Sequence, residues 1–219
     1  LRIVISGGAP LNADILRFFW AVGVPLYEGY GLTEAGVLCV NLPGKTRLGS
    51  VGLPLPGVEI LIEKDGEVLA RGPVVMRGFH KAALTAEARD AQGWLHTGDL
   101  GRVEDGFLFI TGRKKDLMKT AGGKYIAPSA LEQRLLSIPS VSQAMVVADG
   151  RPYHIALVVA NPDAMRKALV DRAPGEELAW MEAQVEKAMA DLPRYERVKR
   201  VGLLAEPFTI ESGELTPTL

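Results

Sequence analysis

A chain of 219 residues, 47% hydrophobic and 23% charged, is long enough for one domain plus a second smaller unit and lies at ordinary globular values. These proportions exclude disorder and fibrous architectures. The formal net charge of −1 supplies no long-range field toward nucleic acid or an anionic membrane, so function must reside in local sites.

The stretch Leu1 to Ile5 reads as a buried strand running into the small-residue turn Ser6-Gly7-Gly8-Ala9-Pro10. Asn12 then caps a helix predicted to bury Ile15, Leu16, Phe19 and Trp20. A second strand around Pro25 to Tyr27 leads into a glycine-rich turn, Glu28-Gly29-Tyr30-Gly31, at the edge of an α/β sheet where ligands commonly bind. From Val51 to Ile110 the texture becomes β-rich, with hairpin signals at Asp65-Gly66 and Asp105-Gly106.

Past "TGRKK" the pattern turns α+β. A helix is predicted over Ser129 to Ser137, strands over Val141 to Ala148 and Ile155 to Ala160, and helices over Pro162 to Val170 and Glu176 to Ala190. Ser129 and Glu132 form an S-x-x-E capping box, Pro162 suits the first turn after Asn161, and Pro193 stops the long helix. The predicted domain junction lies near Arg113. No fixed-period repeat or low-complexity segment interrupts this order.

Several motifs carry chemistry. "SGGAPL" places small residues at the end of a strand, where a base or phosphate can approach the backbone, although a tight strand-to-helix connection needs the same residues. "YGLTE" combines an aromatic face (Tyr30), a glycine for close approach (Gly31), a hydroxyl (Thr33) and a carboxylate (Glu34) suited to magnesium; a helix start is the alternative. "HTGDLG" sets Asp99 on a turn, where a carboxylate can accept from both hydroxyls of a ribose or simply stabilise the turn. His96 reads as structural, and His80 and His154 show no metal-ligand spacing.

The segment Gly112 to Pro128, "GRKKDLMKTAGGKYIAP", has a basic start, an apolar strand and a Gly122-Gly123 turn. Its few charges argue against a nucleic-acid patch. The one cysteine, Cys39, excludes an internal disulfide and a Cys-based zinc cluster, fits a reducing cytoplasm, and has no companion His or Asp to make it a nucleophile. No apolar run approaches the ~20 residues of a membrane-spanning helix.

Taken in order, "SGGAPL", "YGLTE", "GEVLARGPVVMRGF", "GWLHTGDLG" and "GRKKDLMKTAGGKYIAP" resemble the successive core motifs of the adenylate-forming superfamily, which contains acyl-CoA synthetases, luciferases and peptide-synthetase adenylation domains. The resemblance runs from Ser6 to about Leu219, and "TAGGKYIAP" and "GELTPTL" look most like bacterial long-chain fatty acyl-CoA synthetases. It implies an α/β and β-rich end of the large domain over residues 1–112, then a small α+β lid domain over 113–219.

The resemblance further implies that Gly7, Gly8 and Ala9 line an adenine pocket, with Tyr30 stacking on the base beside Gly31. Thr33 would contact the phosphates and Glu34 would hold magnesium, these two being the catalytic candidates. Asp99 and Arg113 would bind the ribose, Lys115 would be the hinge, and Gly122 and Gly123 would lie beside the pantetheine of CoA. The implied substrates are ATP, CoA and a fatty acid, in an enzyme of fatty acid metabolism that is cytoplasmic or peripheral to a membrane. A non-catalytic nucleotide-binding module and an amino-acid or aryl-acid activating relative are the alternatives.

Two departures accompany the resemblance. The family's phosphate loop, which precedes these motifs, and the lysine expected after "LTPTL" lie outside the sequence, and Leu1 stands where an initiator Met would. The expectation is therefore a portion of a larger enzyme, nearly inactive in adenylation by itself.

Overall fold

The chain divides into two compact units, Leu1–Lys115 and Asp116–Leu219. The computed structural model describes residues 3–9, 11–119, 123–147, 153–170, 173 and 175–215.

The first unit opens with a strand–helix–strand crossover. β1 (Val4–Ser6) and β2 (Leu26–Leu32) pair in parallel, joined through α1 (Ala13–Ala21). Asn12 caps α1 as predicted, its Oδ1 accepting from the N–H groups of Asp14 at 2.8 Å and Ile15 at 3.3 Å. Burial is narrower than periodicity suggests. Leu16 is enclosed and the Trp20 indole donates to Leu26 O at 2.8 Å, but Ile5, Ile15 and Phe19 are exposed. The reason is geometric: α1 meets the sheet along one edge, so among the described residues no element covers its other apolar side.

The glycine-rich segment 28–31 is not a turn. β2 continues through it, with a ladder irregularity between Tyr30 and Gly31, and pairs antiparallel with β3 (Gly36–Val40), which pairs in turn with β4 (Leu53–Pro54). The reversal comes later, at residues 33–35, so Thr33 and Glu34 sit on a hairpin turn rather than a helix start. Gly31 is needed because the strands close tightly there: a Cβ on it would stand 2.1 Å from Gly36 O.

The remainder of this unit is an antiparallel meander of β5 (Glu59–Ile62), β6 (Glu67–Arg71), β7 (Leu95–Glu104) and β8 (Phe107–Arg113). Between β6 and β7 lies a short helix that the sequence pattern did not announce, α2 (Ala82–Ala88). At the β7–β8 reversal Asp105 (φ 49°) and Gly106 (φ 84°) both take positive φ, the requirement of a two-residue hairpin turn. Leu38, Val68, Leu95 and Leu108 form the centre of the core, with Cys39 fully buried among them. Burial pushes the Cys39 thiol up to about 12.

Glu28 is half-buried in β2, and burial pushes its carboxyl up to about 7 despite a bond from the Gly49 backbone. Because the folded pKa exceeds the unfolded one, the stability linked to this group is complete below about 4.5 and is lost as pH rises through about 7. Glu28→Gln is therefore expected to raise Tm above neutrality and leave it unchanged near pH 4, a difference that calorimetry at the two pH values reads directly.

The second unit begins with a hairpin of β9 (Met118–Lys119) and β10 (Tyr125–Ile126). Then follow α3 (Pro128–Leu136), β11 (Val141–Val147), β12 (Ile155–Ala160), α4 (Pro162–Ala168), α5 (Glu177–Ala188) and β13 (Arg200–Leu204). β12 is central, antiparallel to β11 and parallel to β13, a strand the sequence reading missed. Leu131 and Leu135 from α3 and Met181 and Val185 from α5 pack on Val146, Ala156 and Val158 of the sheet.

The predicted capping box does not form. Ala127 is the N-cap and Pro128 takes the first turn, which places Ser129 inside the helix. Glu132 instead faces β11 and accepts the Val146 N–H at 2.8 Å. Asn161 caps α4 as expected. Pro193 does not end α5, whose last helical residue is Ala188.

Candidate functional site

A cavity of about 490 Å³ in the first unit collects polar side chains from three places. Glu34 comes from the β2–β3 turn, His96, Thr97, Gly98 and Asp99 from β7, and Arg113 from the end of β8 with Lys114 and Lys115 just beyond. Leu32, Phe79, Ala88 and Leu95 give it an apolar wall. The size and mixture suit a small-molecule ligand.

Asp99 anchors the polar side. It lies within β7, not on a turn as the sequence suggested, and is 4% exposed. A glycine before it, Gly98 (φ 71°), and the ladder irregularity after Leu100 bend the strand without ending it. The Asp99 Oδ1 lies 3.2 Å from Arg113 Nε, its ladder partner, and Oδ2 accepts the Tyr30 hydroxyl at 2.7 Å. Thr97 completes the bend, donating to Val68 O at 2.6 Å while its Oγ1 accepts the Asp99 N–H at 3.1 Å.

Tyr30 is itself buried in the core, and desolvation above all, with the neighbouring Asp99 charge, drives its hydroxyl far above the ordinary tyrosine range. It therefore stays a neutral donor. Tyr30 does not line the cavity, and its hydroxyl meets it only through Asp99. Among the described residues no bond or ion pair engages the Glu34 carboxylate; its backbone carbonyl accepts from Met76 N at 2.7 Å, which fixes the turn. An unengaged carboxylate beside a cavity fits magnesium, which binds through one or two carboxylates and keeps its waters.

The other sequence candidates do not line this cavity. Thr33 sits on the turn, outside the lining, and Gly31 serves the hairpin. Gly7, Gly8 and Ala9 follow β1, where a Cβ on Gly7 would stand 3.0 Å from Gly29 O, one residue from Tyr30. In the second unit Gly123 turns the β9–β10 hairpin with φ 77° and open space around it; Gly122 lies outside the described residues.

Sequence reasoning missed Glu67, Phe79 and Lys114. Glu67 is 3% exposed and ion-paired to Lys114, whose other partner is Asp65 at 2.6 Å. The signal was a lone carboxylate at the head of the apolar strand "EVLAR". Glu63, Glu67 and His96 are close enough to share a cation, but Lys114 already occupies the Glu67 oxygen. His154 is structural, buried with Nε2 2.6 Å from Tyr195 O.

Two family models match the chain: AMP-binding enzyme over residues 1–80 and AMP-binding enzyme C-terminal domain over residues 115–211. The long-chain-fatty-acid–CoA ligase FadD15 of Mycobacterium bovis is 40% identical over 232 residues, covering 100% of this chain and 39% of that protein. Long-chain-fatty-acid–CoA ligase 1 of Homo sapiens is 36% identical over 247 residues, covering 100% and 35%. Among solved structures, the o-succinylbenzoate coenzyme A synthetase of Bacillus subtilis in complex with ATP and magnesium ion aligns with TM-score 0.74 and 28% identity, over 93% of this chain and 42% of that one. The chain thus spans under half the length of each of these three relatives.

Proposed function

Since this chain belongs to the adenylate-forming family of AMP-binding enzymes, we propose that it is the nucleotide-handling part of an AMP-forming ligase that joins a long-chain fatty acid to CoA. The observation that carries the reading is the convergence of Glu34, Asp99 and Arg113 on one cavity. In this proposal the Asp99 carboxylate, braced by Tyr30 and Arg113, accepts from the ribose hydroxyls of ATP. Gly7, Gly8, Ala9, Tyr30 and Gly31 form the side nearest the adenine, and Thr33 meets the phosphates.

The chemistry runs in two steps. The fatty acid carboxylate attacks the α-phosphorus, the bond to pyrophosphate breaks, and an acyl-adenylate forms. The CoA thiol then attacks the acyl carbon and AMP leaves with the electron pair. Arg113 adds a second contact to the ribose, and cations with directed donors stabilise charge on the transferring phosphoryl group. Magnesium held by Glu34 would neutralise phosphate charge in the first step.

Lys115 is the proposed hinge, supported by its place as the last residue of the first unit. Gly122 and Gly123 are proposed beside the pantetheine, where side chains would obstruct a narrow ligand. A cytoplasmic setting, with peripheral membrane contact in the longer protein, completes the reading; no helix among the described residues is long and apolar enough to cross a membrane.

The test uses the complete reading frame. Acid-dependent ATP–pyrophosphate exchange with a long-chain fatty acid, followed by CoA-dependent release of AMP, is the expected result; exchange driven only by amino acids or aryl acids would replace the substrate assignment, and no exchange would remove the ligase assignment. Glu34→Gln should slow the exchange about a hundredfold while AMP still binds without magnesium. Unchanged exchange at limiting magnesium would take the metal away from Glu34.

A further inference from the structure

Behind the cavity, outside its lining, stands one buried carboxylate. An ionised side chain as enclosed as Glu67, at 3% exposure, is tolerated only where donors replace its water. Oε1 accepts the Gly98 N–H at 3.0 Å, and Oε2 accepts from Lys114 Nζ at 2.7 Å and lies 3.3 Å from His96 Nδ1.

The origin of these donors is what matters. Gly98 immediately precedes Asp99, and Lys114 immediately follows Arg113, so one carboxylate grips both strands that bear the cavity's ion pair. Asp99 and Arg113 are themselves partners in the β7–β8 ladder, but the ladder is irregular just beyond them, after Leu100. Regular pairing at this end is therefore confined to Asp99–Arg113 and Leu100–Gly112 before the shift. The bond to Gly98 fixes the backbone entering Asp99, and Lys114, pinned also by Asp65 at 2.6 Å, fixes the chain leaving Arg113. Burial pushes the Glu67 acid up, yet the bonds from Lys114, Gly98 and His96 outweigh it and hold the group below its ordinary range, so it is ionised at neutral pH.

We infer that Glu67 is a positioning residue for the nucleotide: it sets the spacing of Asp99 and Arg113 that grips the ribose of ATP or AMP, and does so through Gly98 and Lys114. This rests on the nucleotide reading of the cavity given above. Side chains that hold binding groups in register act on affinity without touching the ligand, and small displacements there are costly.

Glu67→Gln keeps an acceptor for Gly98 but removes the charge facing Lys114. In the complete reading frame it is expected to raise the AMP dissociation constant and the KM for ATP about tenfold, with the KM for the acid unchanged. Lys114→Met should produce a similar rise, and the double variant should be no worse than either single one, because both break the same link. General loss of stability would not single out the nucleotide in this way. Native AMP affinity in folded Glu67→Gln overturns the inference; if that variant does not fold, native AMP affinity in Lys114→Met overturns it. Asp99→Asn, measured alongside, separates the two readings. Weakened AMP binding there with none in the Glu67 and Lys114 variants refutes the positioning role alone, whereas no effect at Asp99 refutes the nucleotide site.

Discussion

Asp99→Asn is expected to lower AMP affinity by about tenfold to a hundredfold while the chain remains folded, which calorimetric titration and a thermal melt would read. The side chain is nearly isosteric, so packing around this 4%-exposed position hardly changes. What changes is charge and donor balance. Oδ1 faces Arg113 at 3.2 Å and Oδ2 accepts from Tyr30 at 2.7 Å, so an amide group must turn its NH₂ toward a guanidinium or toward a hydroxyl that is itself a donor. Hydrogen bonds to charged groups contribute about 1.5–3 kcal/mol, which sets the range of the expected loss. The ribose, bound by an acceptor with full negative charge in this reading, feels the same deficit. Unchanged AMP affinity would mean that Asp99 serves the β7–β8 ladder alone.

Gly31→Ala is the larger expected loss of stability, about 3 kcal/mol or more and a fall in Tm of about 10 °C. Its Cβ would stand 2.1 Å from Gly36 O, 2.9 Å from Gly36 C and 3.0 Å from Val37 Cα. All three atoms are backbone, so no rotamer change relieves the clash. The Gly31–Val37 and Leu32–Gly36 pairs must open, and the turn that presents Glu34 moves with them. A variant with a native melt and weakened AMP binding would show that Gly31 acts through its place beside the adenine and not through the strand spacing.

The sequence made some of this visible and hid the rest for identifiable reasons. Asn12, Asn161 and the Asp105-Gly106 turn act through their immediate neighbours, so local chemistry announced them. Glu34, Asp99 and Arg113 were named because each belongs to a motif with a chemical purpose, and they share one cavity. Glu67 escaped because a buried carboxylate is intelligible only through its donors, which lie 31 and 47 residues away. The turn read into residues 28–31 failed because glycine permits close strand approach as well as reversal, and only the partner strand decides between them. The Ser129–Glu132 box failed because Pro128 claimed the helix start and β11 claimed the glutamate. β13 and α2 are short elements whose partners, not their patterns, define them.

The enclosure of Cys39 has a practical side. With its thiol sealed in the first unit's core and pushed up to about 12, the native chain offers no nucleophilic sulfur to an alkylating dye. One cysteine introduced on the surface of each unit supplies the two attachment points, so a pair of fluorophores can report the separation of the units as ATP and CoA are exchanged, with no thiol of these 219 residues to mask.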